Sequence, residues 1–87
     1  MSMELEFDPA KDAANIAKHG VSLQRAAEFE FKAVVQDERA DYGEARYNAF
    51  GLIDDLTYCL TFTVRGEKVR PISLRRARAK EYRRYVP

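Results

Sequence analysis

The sequence reads as an α+β domain: two N-terminal helices, a four-stranded antiparallel sheet and a C-terminal helix, with room for a short strand ahead of the first helix. Three observations lead there. "DPAKDAANIAKHGVS" (residues 8–22) carries a complete set of helix-boundary residues. After residue 31 the apolar period changes from that of a helix to the alternation of strands. The final stretch, residues 75–87, is dense in arginine and lysine and no longer alternates. Helices, then short strands on short loops, then a helix give an antiparallel sheet packed with helices, in one domain over residues 1–87. The apolar fraction of 46%, with five Phe and five Tyr, suits a folded chain with a modest core.

Taken in order, "MELEFD" (residues 3–8) alternates Leu5 and Phe7 with glutamates, the pattern of a short strand with one buried face. The first helix is expected over residues 9–19, with Asp8 as cap, Pro9 in the first helical position and Gly20 closing the end in a left-handed conformation. Ala10, Ala13, Ala14 and Ala17 share one face and predict close packing there, while Lys11, Asn15 and Lys18 form a stripe of donors. Ser22 caps a second helix over residues 23–31, and Val21 can staple onto it. Strands follow over residues 32–38, 45–53, 56–64 and 68–74. A loop at 39–44, Asp54-Asp55 and the turn at 65–67 connect them. The third strand is the clearest, with Tyr58, Leu60, Phe62 and Val64 on one face and Thr57, Cys59, Thr61 and Thr63 on the other. Pro71 has no N–H to donate, so the last strand is an edge or is bulged there.

Composition narrows the chemistry. No apolar run approaches the roughly 20 residues that cross a bilayer, and no secretory signal pattern opens the sequence, so the expectation is a cytoplasmic protein. One Cys and one His are too few for an internal disulfide or a structural zinc site. There is no phosphate-binding glycine loop, no G-x-S-x-G nucleophile and no acidic cluster suited to Mg²⁺; no cofactor or metal is expected. The net charge of +1 conceals polarity: residues 64–87 hold nine basic and two acidic side chains, residues 1–63 six basic and twelve acidic. A basic end of this kind suits a polyanion or an acidic partner, or else a solvated helix face that folds back on the acidic half.

Three stretches offer chemistry. Lys18 and His19 end the first helix, where a cationic imidazole complements the helix dipole; His19 is therefore either a helix-end residue or an acid and phosphate ligand. In "YGEARYNAFG", Glu44 and Arg46 stand two apart, on one face if both are in a strand, as a base beside a phosphate clamp or as a surface ion pair. "RPISLRRARAKEYRRY" places Arg70, Arg75, Arg76 and Arg78 along a strand end and helix start, where guanidinium forks bind phosphate in bidentate geometry. Tyr82 and Tyr85 can stack on bases or pack the helix onto the sheet.

Together, "FDPAK…N…KHGVS…A", "YGEARYNAFG" and "RPISLRRA…EYRRY" resemble the BrnT family over nearly the whole chain. These are toxins of type II toxin–antitoxin pairs. The resemblance implies a RelE-like fold and a cytoplasmic endoribonuclease that cuts without metal through the ribose 2′-OH. It also implies neutralisation by a BrnA-type antitoxin, with dimerisation through the antitoxin. The implied catalytic residues are Lys18, His19, Glu44, Arg46 and Arg75, with Lys11, Arg70, Arg76, Lys80, Arg83 and Tyr85 on RNA and Glu81 in the C-terminal helix. Phe7 stands where a Trp is usual, Pro71 where an aliphatic residue is common, and Arg78 where many relatives cap the last helix with Ser, Thr or Asn. A different class fits the same charge pattern: a non-catalytic module that binds nucleic acid or protein with its basic C-terminal face.

Overall fold

The computed structural model describes residues 4–38 and 43–87. Helix α1 spans Pro9–His19. Its ends follow the sequence: the Ala10 N–H donates to Asp8 Oδ1 at 2.8 Å, and Gly20 closes the helix at φ 74°, its N–H donating to the Ile16 carbonyl. What the helix buries differs from expectation. Ala10, Ala13, Ala14 and Ala17 are exposed and Ile16 is 47% exposed, whereas Asn15 is buried. The helix docks through a polar stripe, Asp12–Asn15–His19, at helical spacing. Asn15 Nδ2 donates to the carbonyls of Val21 (2.8 Å) and Leu74 (2.9 Å), and its Oδ1 accepts from the Leu74 N–H (3.1 Å). Asp12 Oδ1 accepts from Ser22 Oγ and the Leu23 N–H. These bonds fix which side faces inward, and the alanines follow from that choice.

The second helix is a 3-10 helix over Leu23–Glu28, capped by Ser22 as expected but shorter than residues 23–31. Its buried residues, Leu23 and Ala26, are three apart, the repeat of the tighter helix. It ends because Phe29 turns extended and buries its ring, packed edge-on to Phe31 at 4.8 Å.

The sheet has order β1-β2-β3-β4, all neighbours antiparallel: β1 Glu30–Asp37, β2 Arg46–Ile53, β3 Leu56–Arg65 and β4 Lys68–Arg76. Asp54 and Asp55, at φ 51° and 63°, make the primed hairpin turn whose twist matches its flanking strands. The loop expected at 39–44 lies, apart from Gly43 and Glu44, outside the described residues. The N-terminal strand is reduced to a single parallel bridge, Leu5 to Val69, on the outer edge of β4. Pro71 falls on that outer strand, where the β3–β4 register shifts, so both of its sequence readings hold.

One face of the sheet carries the main core: Ala49, Ile53, Leu60, Phe62 and Leu74 against Val21, Leu23, Ala26 and Phe29. Gly51 is required beneath it, since a Cβ there would lie 2.1 Å from the Glu30 carbonyl oxygen and 2.7 Å from the Phe29 ring. The other face is covered by a helix at one end among the described residues. There α2, Ala79–Tyr85, packs Tyr82 and the following Val86 on Phe50, Cys59 and Ala77. The middle of that face, at Asn48, Thr61 and Ser73, is polar and partly exposed, and Asp37 and Thr63 beyond it are buried.

Candidate functional site

The antiparallel register sets out the open face in rows. Phe50, Cys59 and Arg75 share the row nearest α2; Val35, Asn48, Thr61 and Ser73 form the next. Beyond them stand Asp37 opposite Arg46 on β1 and β2, and Thr63 opposite Arg70 on β3 and β4. Arg75 lies within β4, one residue before its end, because the strand runs to Arg76 rather than stopping at 74. Glu81 reaches back from the first turn of α2, and the two meet fork to fork: Nη1 to Oε1 and Nη2 to Oε2, both 2.9 Å. Arg75 Nη1 also donates to the Arg76 carbonyl at 3.3 Å. Hydrogen bonding to the Arg75 fork holds the Glu81 carboxyl below its ordinary range, against the burial that pushes it up.

A cationic groove of about 540 Å³ opens on one side of this pair, lined by Lys18, His19, Arg75, Arg76, Arg78 and Glu81. The end of α1 and the β4–α2 junction, far apart in sequence, converge here. The Asn15 bonds to Leu74 pin α1 beside the residue preceding Arg75 and so bring Lys18 and His19 to it. On the other side of the pair a hollow of about 440 Å³ lies over the middle of the open face, with Asn48, Thr61 and Ser73 among its walls. A third groove, of about 310 Å³, joins Lys11 to Lys18, His19 and Ser73 along α1.

The remaining expected site residues are placed elsewhere. Glu44 lies in a bend before β2, not on a strand beside Arg46, and pairs with Arg65 at 3.4 Å. Arg46 is on β2 and Arg70 on β4, with Arg70 4.0 Å from Glu6. By register, Arg46 is four residues along the sheet and two strands across from Arg75, about 16 Å. The structure does not bring the two together in the groove. Arg76, which does line the groove, is anchored there by Nε donating to the Thr57 carbonyl and by lying over the Tyr58 ring at 5.5 Å. Lys80 and Arg83 are exposed on α2. Tyr85 stacks on Phe50 at 4.6 Å, so one of its ring faces is already used.

Asn15, Asn48, Thr61, Ser73 and the buried Asp37 were not singled out as site residues by sequence. The signal available was alternation: once β2 and β3 are paired, Asn48 and Thr61 fall on the face opposite Leu60. Asn15 is a lone amide in an alanine-rich helix, which only the tertiary partner explains.

A family model described as "Ribonuclease toxin, BrnT, of type II toxin-antitoxin system" matches residues 7–81. The searches of curated proteins and of solved structures return no match.

Proposed function

The chain belongs to the BrnT ribonuclease toxins of type II toxin–antitoxin systems, and from that premise we propose that it is a metal-independent endoribonuclease, RelE-like in fold, held in check by a BrnA-type antitoxin. One observation carries the catalytic part: Lys18 and His19 share a groove with Arg75, whose guanidinium is oriented by a bidentate carboxylate. An RNA phosphodiester placed in that groove would meet the Arg75 guanidinium beside its Glu81 partner, together with several further cations. In the reaction the ribose 2′ oxygen loses its proton and bonds to the adjacent phosphorus. The bond from phosphorus to the 5′ oxygen breaks, leaving a 2′,3′-cyclic phosphate and a 5′-hydroxyl. Arg75 stabilises the extra charge on the phosphoryl oxygens. His19, at the helix end, supplies the proton to the departing 5′ oxygen. Of the two candidates for accepting the 2′ proton, Lys18 is in the groove, while Glu44 is held by Arg65 near the opposite end of β3. Arg46 and Arg70 then serve the RNA backbone along the open face, with Lys11, Lys80 and Arg83 on the flanking helices.

The test is cleavage of a single-stranded RNA with and without EDTA, with the product ends identified by mass. Undiminished cleavage and cyclic phosphate ends are expected. Activity lost to chelator and restored by Mg²⁺ would overturn the mechanism, and RNA bound but never cut would favour a binding module. For the partner, the expectation is that the product of the adjacent gene co-purifies with this chain at micromolar concentration.

A further inference from the structure

We infer that the hollow beside the Arg75–Glu81 pair is a base-reading pocket, holding the RNA base next to the cleaved bond; this rests on the ribonuclease reading above. Charge argues against phosphate here. Asp37 and Glu38 line one end of the hollow, and the only cation on its walls among the described residues is Arg75, which it shares with the cationic groove. Between them the floor is neutral and polar, three side chains deep across β2, β3 and β4.

That floor is ordered and still has hydrogen-bonding capacity. Thr61 Oγ1 donates to Asn48 Oδ1 at 2.7 Å, which fixes the orientation of the Asn48 amide. Asn48 Nδ2 and the Ser73 hydroxyl have no hydrogen-bond partner among the described residues. Two donors of an amide and a hydroxyl, held on three paired strands, suit the edge of a flat heterocycle. Tyr85, stacked on the buried Phe50, gives the hollow an aromatic wall. The volume of about 440 Å³ lies in the range of small-ligand sites.

The hollow and the cationic groove meet at Arg75 and Glu81, which line both. A ligand that fills the two together must be anionic at one end and a neutral hydrogen-bonding ring at the other. A nucleotide unit of RNA has that form.

The experiment uses four RNA decamers identical except for the base beside a single cleavable bond, together with 2′-deoxy-blocked copies for binding by fluorescence anisotropy. The wild-type chain is expected to favour one base by about tenfold or more in single-turnover cleavage, since a site built for hydrogen bonds rejects a base that leaves them unmade. Asn48→Ala and Ser73→Ala should each move the ratio of best to worst base toward one. Ser73→Ala removes a single oxygen, so it keeps the test open should Asn48→Ala fail to fold. Cleavage with no base preference, or with a preference that both variants retain, overturns the pocket and leaves the ribonuclease reading standing. If no decamer is cut, that reading falls, and the blocked copies still decide the pocket: equal affinity for all four overturns it.

Discussion

Arg75 and Glu81 hold each other by two hydrogen bonds of 2.9 Å, and that contact shapes what each variant should do. On the proposed mechanism, Arg75→Ala removes the group that stabilises developing phosphoryl charge, and a loss of ~10²–10³ in cleavage rate is expected. Arg75→Lys should recover little of it, because an ammonium does not reproduce the planar fork. Both side chains are about a third exposed, so their contribution to stability is screened and modest. Its pH dependence has a definite sign nonetheless. The folded-state pKa of Glu81 is depressed, so the stability it adds is present above the ordinary glutamate range and is lost as pH falls through the lower folded value. Thermal midpoints of wild type and Glu81→Gln should therefore differ most at neutral pH and converge on acidification. A gap that stays constant from pH 7 to pH 3 would show that the pair contributes no charge-linked stability. Arg75 is read from the sequence as an anion site because it stands among several arginines at a strand-to-helix junction, and the structure places it near the end of β4 as that reading expects. Its partnership with Glu81 was not legible as geometry, since six residues of separation say nothing about which way β4 and α2 fold on each other.

The elements were more readable at their ends than on their faces. Asp8, Pro9, Gly20 and Ser22 act as the sequence predicts, because capping is a local matter of one or two backbone groups. The four strands are present with bounds within about two residues of those expected. What failed was the choice of the inward face of α1. Periodicity favoured the alanines, but methyl groups bury little area, whereas one buried amide can satisfy three backbone groups at once. Asn15 therefore makes a strong prediction at this scale. Asn15→Leu leaves the Leu74 N–H and the carbonyls of Val21 and Leu74 without their side-chain partner, at a cost of about 1–3 kcal/mol for each group that stays buried and unsatisfied. The total stability of a domain this size is roughly 5–10 kcal/mol. Urea denaturation should show the midpoint falling by a large fraction, and cleavage should fall with it as α1 loosens from β4 and carries Lys18 and His19 away. An unchanged midpoint would mean that the helix is held by something other than its polar stripe.

Across the whole molecule the charge polarity of the sequence survives folding, but its basic end is divided into two. The cations at the start of β4 and before it are offset by neighbouring carboxylates: Arg65 by Glu44, Lys68 by Glu4 and Arg70 by Glu6, at 3.4 to 4.0 Å. Lys18, Arg78, Lys80, Arg83 and Arg84 have no carboxylate within ion-pair distance among the described residues. Lys18 and Arg78 line the groove that contains Arg75, and Lys80, Arg83 and Arg84 lie on the adjoining α2. The sequence showed the excess of charge and could not show this division, which depends on the N-terminal segment lying along β4. If these cations form the phosphate track, binding of a 2′-deoxy-blocked RNA should depend steeply on salt. For single strands the logarithmic slope is about −0.7 per phosphate neutralised, so four contacts give a slope of about −3 and on the order of a fifty-fold fall in affinity between 50 and 200 mM salt. Replacing Lys80 and Arg83 with Gln should flatten the slope by about 1.4. An antitoxin that neutralises the chain by covering this face must compete with RNA for it, so the purified toxin–antitoxin complex should show neither the affinity nor the slope. A free chain whose RNA affinity is insensitive to salt, or a complex that binds RNA as steeply as the free toxin through the same α2 cations, would place both the track and the antitoxin's seat elsewhere on the molecule.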